Sequence, residues 1–268
     1  MMEEGKVTVS QILAGVEPTP ASYLSASRAL LDSDYPSGTV AKIALLSSYN
    51  GDLLDPYLRV ECGRVGLVLH LYTGPFGQFE QEIFERKSGL HAFDPDLVCL
   101  ALRLEEIAPA LVERYVSMSP TDVADEIDAI ELRIKGLIDV LARDGSATIL
   151  VANFALPVVT VAGLADSSLE APQVAMVQSI NDRIATLCRK TTDTFVWDFS
   201  RVSFEVGAVN MFDPRMYWLA RMPFSAVGLI GVARSLARHV RAICMVPKKC
   251  LVLDLDGTLW GGVVGEDG

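Results

Sequence analysis

From residue 42 onward, short apolar runs alternate with longer segments whose apolar residues recur every three or four positions. The runs are KIALLSS (Lys42–Ser48), GLVLHLY (Gly66–Tyr72), DLVCLAL (Asp96–Leu102), ATILVANF (Ala147–Phe154) and TFVWDF, which ends at Phe199. Each is rich in Val, Ile and Leu on both alternating faces, the pattern of strands covered on both sides in a parallel sheet. Between them, one segment opens with the start signal Ser119-Pro120-Thr121-Asp122 and stops at Gly145. It carries Ile127, Ile130, Ile134, Leu137, Ile138 and Leu141 on one face. A second helix is expected from about Ala171 to Lys190, with Val174, Val177, Ile180, Ile184 and Leu187 at helical spacing. Strand–helix alternation of this kind predicts an α/β fold, a doubly wound parallel five-stranded sheet in a flavodoxin-like three-layer sandwich. Residues 1–40 read as a loosely organised lead-in with room for one short helix before a Pro-Ser-Gly break. Residues 41–246 form the main domain, and 247–268 begin a second unit.

In such sheets ligands gather beyond the carboxyl ends of the strands. Those positions are Ser47-Ser48-Tyr49-Asn50-Gly51, Thr73-Gly74-Pro75-Phe76-Gly77, Arg103-Leu104-Glu105 and Asn153-Phe154.

Composition narrows the function classes. Half of the 268 residues are hydrophobic, enough for one large core, and the formal net charge is −11. An acidic chain lacks the basic surface that displaces counterions from nucleic-acid phosphates, so no nucleic-acid partner is expected. Cys62, Cys99, Cys188, Cys244 and Cys250 are odd in number and lie at no metal-ligand spacing. They read as reduced small hydrophobes in a cytoplasmic protein. The start MMEEGKVTVSQILAG is acidic and has no signal-peptide core. No uncharged apolar stretch of about 18 residues is present, so no membrane span is expected.

A serine after the first of five parallel strands resembles the SGNH (GDSL-like) hydrolases. That resemblance implies a serine nucleophile, a glycine and an asparagine that bind the oxyanion, and an Asp-x-x-His carrying the general base. Ser47 or Ser48 would be the nucleophile, and Gly74 or Gly77 the second-block glycine. In the third block Arg103 stands near the expected asparagine. In the fifth, Ser225 and Gly228 keep step, but Pro223 takes the place of the histidine and Ala220 that of the aspartate. Serine is a poor nucleophile near neutral pH without a base. Of the three histidines, His70 lies in a strand and His239 in the last helix, which leaves His91 as the one base with a route to the site. The domain is therefore expected to lack the esterase machinery, with Ser47, Ser48, Gly74 and Asn153 as a vestigial site and the two serines in ordinary turn chemistry. Asn153 reads as a bond to a neighbouring loop rather than a ligand contact. Asp213 and Arg215, among aromatics, read equally as a ligand clamp or an internal pair.

The chemistry-bearing motif is KKCLVLDLDGTLWGGVVGEDG, in which Lys248 and Lys249 precede an apolar strand. The strand delivers Asp254 and Asp256 to a tight Gly257-Thr258 turn. One carboxylate there can attack phosphorus while the other handles the leaving group's proton, and a magnesium ion offsets their mutual repulsion. The string resembles motif I, D-x-D-G-T, of the haloacid dehalogenase (HAD) superfamily. By that resemblance Asp254 is the nucleophile, Asp256 is the general acid/base, and both hold Mg²⁺, with Thr258 supporting the turn.

With MYWLARMPFSAVGL and an SGNH-like domain before it, the sequence is similar to the FkbH-like family, a HAD subfamily. Its members more often have Asn where this sequence has Gly257. The resemblance implies a phosphatase/glyceryltransferase. It would release phosphate from 1,3-bisphosphoglycerate, a phosphorylated three-carbon acid, and load glyceryl onto an acyl carrier protein for polyketide assembly. The further HAD residues lie downstream of motif I in that superfamily, so these 268 residues are expected to be incomplete for that catalysis. Two alternatives remain. One is a non-catalytic domain that docks a carrier protein or positions substrate, with Arg234, Arg238 and Arg241 as a basic helix face for the carrier. The other is an active esterase with an unrecognised base.

Overall fold

A computed structural model describes residues 8–33 and 38–245 of the chain. Asp254, Asp256 and the rest of the expected second unit lie outside the described residues.

Five parallel strands form one sheet in the order β2-β1-β3-β4-β5. They are β1 (Thr39–Ser47), β2 (Leu67–Thr73), β3 (Leu97–Ala101), β4 (Thr148–Ala152) and β5 (Thr194–Trp197). Every expected run became a strand, and the sheet is the doubly wound α/β type that the alternation predicts. Two-sided burial explains the apolar runs. On β1, Ile43 and Leu45 face one core while Ala44 and Leu46 face the other, and all four are fully buried. The helices Asp55–Arg64 and Ala226–Cys244 cover the first face. Pro120–Asp144 and Gln173–Lys190 cover the second.

The Pro120–Asp144 helix starts where the sequence places it. Ser119 and Asp122 exchange bonds in a capping box, with Pro120 in the first turn. Its six expected core residues are all buried. Among the described residues no helix is long and apolar enough to cross a membrane.

The lead-in differs from its reading. It holds two helices, Val9–Ala14 and Pro20–Asp32, and the second is locked to the domain through Tyr23, which is fully buried. Tyr23 stacks on Tyr57 at 5.0 Å, and its hydroxyl donates to the buried carboxylate of Glu61. Arg64 also bonds Glu61, at 2.7 Å, and Arg234 approaches its other oxygen at 3.5 Å. Arg64 donates to the Val16 carbonyl as well, tying down the chain between the two helices. Burial first, and then Glu61, push the Tyr23 hydroxyl up to about 12, so it remains a proton donor across the physiological range. The sequence does not reveal this because Tyr23 and Glu61 are 38 positions apart. Glu61→Ala should cost about 1–2 kcal/mol, below the usual figure for breaking a buried pair because both arginines are partly exposed. A urea midpoint unchanged from wild type would show that the cluster does not hold the N-terminal helices.

Candidate functional site

The strand order reverses around β1, so the crevice lies beyond the carboxyl ends of β1 and β3. Ser47 and Ser48 are there and both are buried. The Ser47 hydroxyl donates to the Tyr49 carbonyl at 2.6 Å. The Ser48 hydroxyl accepts from the Arg103 backbone N–H at 2.9 Å, which joins the β1 and β3 loops. Asn50 continues the loop: its N–H donates to the Arg221 carbonyl, and its side chain accepts from the Asp52 N–H at 3.0 Å. Both hydroxyls therefore act as loop joints, as turn chemistry predicts.

Gly74 serves the sheet. Its N–H donates to the Leu45 carbonyl, and a methyl group in place of its hydrogen would stand 2.8 Å from the Leu46 side chain. The glycine lets the chain leaving β2 press against β1, and its N–H is already bonded. Gly77 instead supports a turn at φ +70. Asn153, at the end of β4, donates to Asp198 at 2.9 Å and accepts from the Ser200 N–H at 2.8 Å. It braces the start of the helix Phe199–Val206, which Asp198 caps. This is the structural role read for it.

No histidine reaches the serines. His91 sits on the short helix Gly89–Phe93 with Nε2 3.2 Å from the Ile83 carbonyl. It lines a cavity with Asp94, Pro95 and Asp144, at the amino ends of β3 and β4. That is the opposite end of the sheet from Ser48, so the one expected route closes. His239 pairs with the Ser235 carbonyl in its own helix, and His70 is exposed on edge strand β2. The fifth-block residues are used locally. The Pro223 carbonyl accepts from the Asp213 N–H, and Ser225 caps the last helix by accepting from the Gly228 N–H at 3.0 Å. Asp213 caps the helix Pro214–Ala220 by accepting from the Arg215 N–H at 2.9 Å, so its bond to Arg215 is to the backbone rather than to the guanidinium.

Sequence patterns missed the aromatic–arginine cluster that closes this end of the sheet. The Arg103 guanidinium lies 5.0 Å from the Tyr217 ring and 5.9 Å from the Phe212 ring. Its charge meets Glu105 at 3.0 Å and Glu106 at 3.8 Å. Tyr217 donates its hydroxyl to Glu106, and this bond, with burial, raises the tyrosine above its ordinary range. The signal was the string FDPRMYWLAR, but nothing local says that it folds back onto residue 103.

Residues 42–239 match the family described as the FkbH N-terminal domain. This chain belongs to that family. No protein of curated function matches it. Among solved structures, the N-terminal part of the protein BF1531 from Bacteroides fragilis, containing a phosphatase domain complexed with Mg, superposes with a TM-score of 0.70 at 23% identity. The match covers 93% of this chain and 63% of that one, so the chain spans just under two thirds of that structure's length. A mutant of Axe2, an acetyl-xylooligosaccharide esterase from Geobacillus stearothermophilus, matches at a TM-score of 0.47 and 11% identity, over 76% of this chain and 95% of that one.

In this FkbH N-terminal domain a cleft of about 220 Å³ opens beside Arg103. Its walls include Phe154, Leu156, Val177, Phe199 and Phe212. Among the described residues no three of His, Cys, Asp or Glu converge as a metal site. The Mg²⁺ expectation falls on Asp254 and Asp256, which lie outside the described residues. The free cysteines agree with a structural role. Cys62, Cys99 and Cys188 are buried, Cys244 is half-buried, and burial raises all four thiols.

Proposed function

We propose that this chain is the positioning part of a cytoplasmic FkbH-type protein whose reaction centre is built on Asp254 and Asp256. The single observation that carries the reading is the match of residues 42–239 to the FkbH N-terminal domain, followed after residues 240–250 by LVLDLDGTLW. The substrate is a phosphorylated three-carbon acid such as 1,3-bisphosphoglycerate. An Asp254 oxygen forms a bond to the phosphorus of the phosphate ester as the ester O–P bond breaks, and Asp256 gives the leaving alkoxide its proton. Water then releases inorganic phosphate. The acyl phosphate at the other end of the substrate stays activated, so a carrier-protein thiol can take the glyceryl group as the second phosphate leaves. Mg²⁺ bound by the two carboxylates would supply charge neutralisation there.

The described domain then binds and orients without breaking bonds. Both serine hydroxyls are committed to the loops and no imidazole lies near them. Arg238 and Arg241 offer exposed charge for an acidic carrier protein, whereas Arg234 is drawn toward Glu61.

Two assays test the division of labour. The 268-residue chain should not hydrolyse p-nitrophenyl acetate above the buffer rate. A version extended through the whole second domain should release phosphate from 1,3-bisphosphoglycerate only with Mg²⁺. Esterase turnover abolished by Ser47→Ala or Ser48→Ala would replace this reading with an active hydrolase. Lack of phosphate release from the extended protein would end the phosphatase part.

A further inference from the structure

The amino end of the sheet has an unpartnered strand edge. Strand β1 begins at Thr39, but its pairing with β3 begins at Ile43, opposite Leu97, so Thr39–Lys42 extend past β3. Asp96 closes the corner. Its N–H donates to the Lys42 carbonyl at 2.8 Å, and its carboxylate accepts from the Lys42 N–H at 2.9 Å. What remains is a notch of about 380 Å³ at the starts of β1, β3 and β4. Its lining includes Val40, Asp94, Asp96, Thr148 and, from the end of the helix Ala226–Cys244, Ile243 and Cys244. Val40 is 49% exposed there, an apolar side chain on a strand edge that nothing described covers. Asp94 and Asp96 are both exposed, and neither forms an ion pair with a described residue. Lys42 gives its ammonium to the Asp94 backbone carbonyl and lies over the Phe93 ring.

Two stretches outside the described residues adjoin this notch in sequence. Residues 34–37 precede β1 and carry Asp34 but no cation, which two carboxylates repel. The other follows the helix that ends at Cys244 and reads Val246-Pro247-Lys248-Lys249-Cys250. Lys248 comes four residues after Cys244, at most about 14 Å of extended chain, so its ammonium reaches the carboxylates from the rim. We propose that residues 246–250 seat in the notch, with Lys248 and Lys249 on Asp94 and Asp96 and Val246 against Val40. A lysine ammonium is a compact charge with three rotatable donors, so two exposed carboxylates suit it without a fixed geometry. Asp254 follows Lys249 by five residues, at most about 18 Å of chain, so the seat limits where the phosphoryl-transfer motif stands relative to the sheet. That consequence rests on the function proposed above, whereas the contact itself does not.

Zero-length carbodiimide coupling of the 268-residue chain, read by mass spectrometry, tests the contact. Lys135 and Asp139, an exposed ion pair on the Pro120–Asp144 helix, supply the internal standard. A mixture of isotopically heavy and light protein should give amide links from Lys248 or Lys249 to Asp94 or Asp96 within single chains. Their yield should fall within about threefold of the standard, as for another exposed pair. Combining Asp94→Asn with Asp96→Asn should speed trypsin cleavage after Lys248 and Lys249 about fivefold or more at an unchanged Tm, since the amides keep an acceptor for the Lys42 N–H and lose only charge. The coupling is read on the wild-type chain, so an unstable variant leaves the test standing. No link at Lys248 or Lys249 while the standard forms, links only between heavy and light chains, or equal trypsin rates would overturn the proposal. Links without phosphate release from the extended protein would keep the contact and end the phosphatase reading; phosphate release without links would do the reverse.

Discussion

In a protein that carries the whole second domain, Asp254→Asn should lower phosphate release from 1,3-bisphosphoglycerate by about 10⁴-fold or more, in the range seen when a nucleophile is removed. Asparagine has nearly the shape of aspartate, so folding should survive. What disappears is the anionic oxygen that attacks phosphorus. Asp256→Asn should cost less, about 10²–10⁴-fold, because it removes a proton donor and leaves the nucleophile. Phosphate must be counted above the spontaneous hydrolysis of the acyl phosphate, without a carrier protein, so that only the ester cleavage is read. If both variants turned over like wild type, the motif would be a strand end and nothing more.

Gly228→Ala should destabilise the described domain by about 3 kcal/mol or more, since overpacking here meets backbone rather than a side chain. A methyl at residue 228 would stand 2.2 Å from the Met211 carbonyl oxygen. That oxygen already accepts the Ser225 N–H, and the neighbouring residues Phe212 and Phe224 pair as a bridge. Neither side of the contact can yield alone. The helix Ala226–Cys244 must lift away from Met211, which loosens the Ser225 cap and the bridge together. Phe212 walls the cleft, so the cleft should loosen with the fold. At about 2–4 °C per kcal/mol for a domain of this size, a thermal melt should show a loss of about 6–12 °C. A Tm within one degree of wild type would mean that the helix start tolerates movement.

The same glycine shows how far a motif can be read. Ser225 and Gly228 keep step with the fifth-block pattern of the SGNH resemblance, and here that spacing serves a helix cap. Ser225 accepts the Gly228 N–H, and its hydroxyl donates to the Asn210 carbonyl at 2.5 Å. Residue type and spacing were legible, whereas the partner that makes glycine necessary, Met211, was not. His91 is the opposite case. It follows the second strand at a plausible distance for a base, yet its short helix sits at the amino ends of the strands, beside Asp144.

Local periodicity determines most of the architecture. Strands buried on both faces must be apolar at every position, and helices buried on one face must repeat every three or four residues. The five runs and two long helices are therefore visible without coordinates, as are the Ser119 cap and the Asp254-x-Asp256 spacing. Contacts across the chain leave no such trace. Tyr23 on Glu61, Ser48 on Arg103, and Arg103 on Tyr217 each join residues dozens of positions apart. Their pairing depends on where crossovers return the chain, and only packing of the finished sheet sets that. The apolar cleft belongs to this second class, because a cavity arises from neighbours in space rather than in sequence.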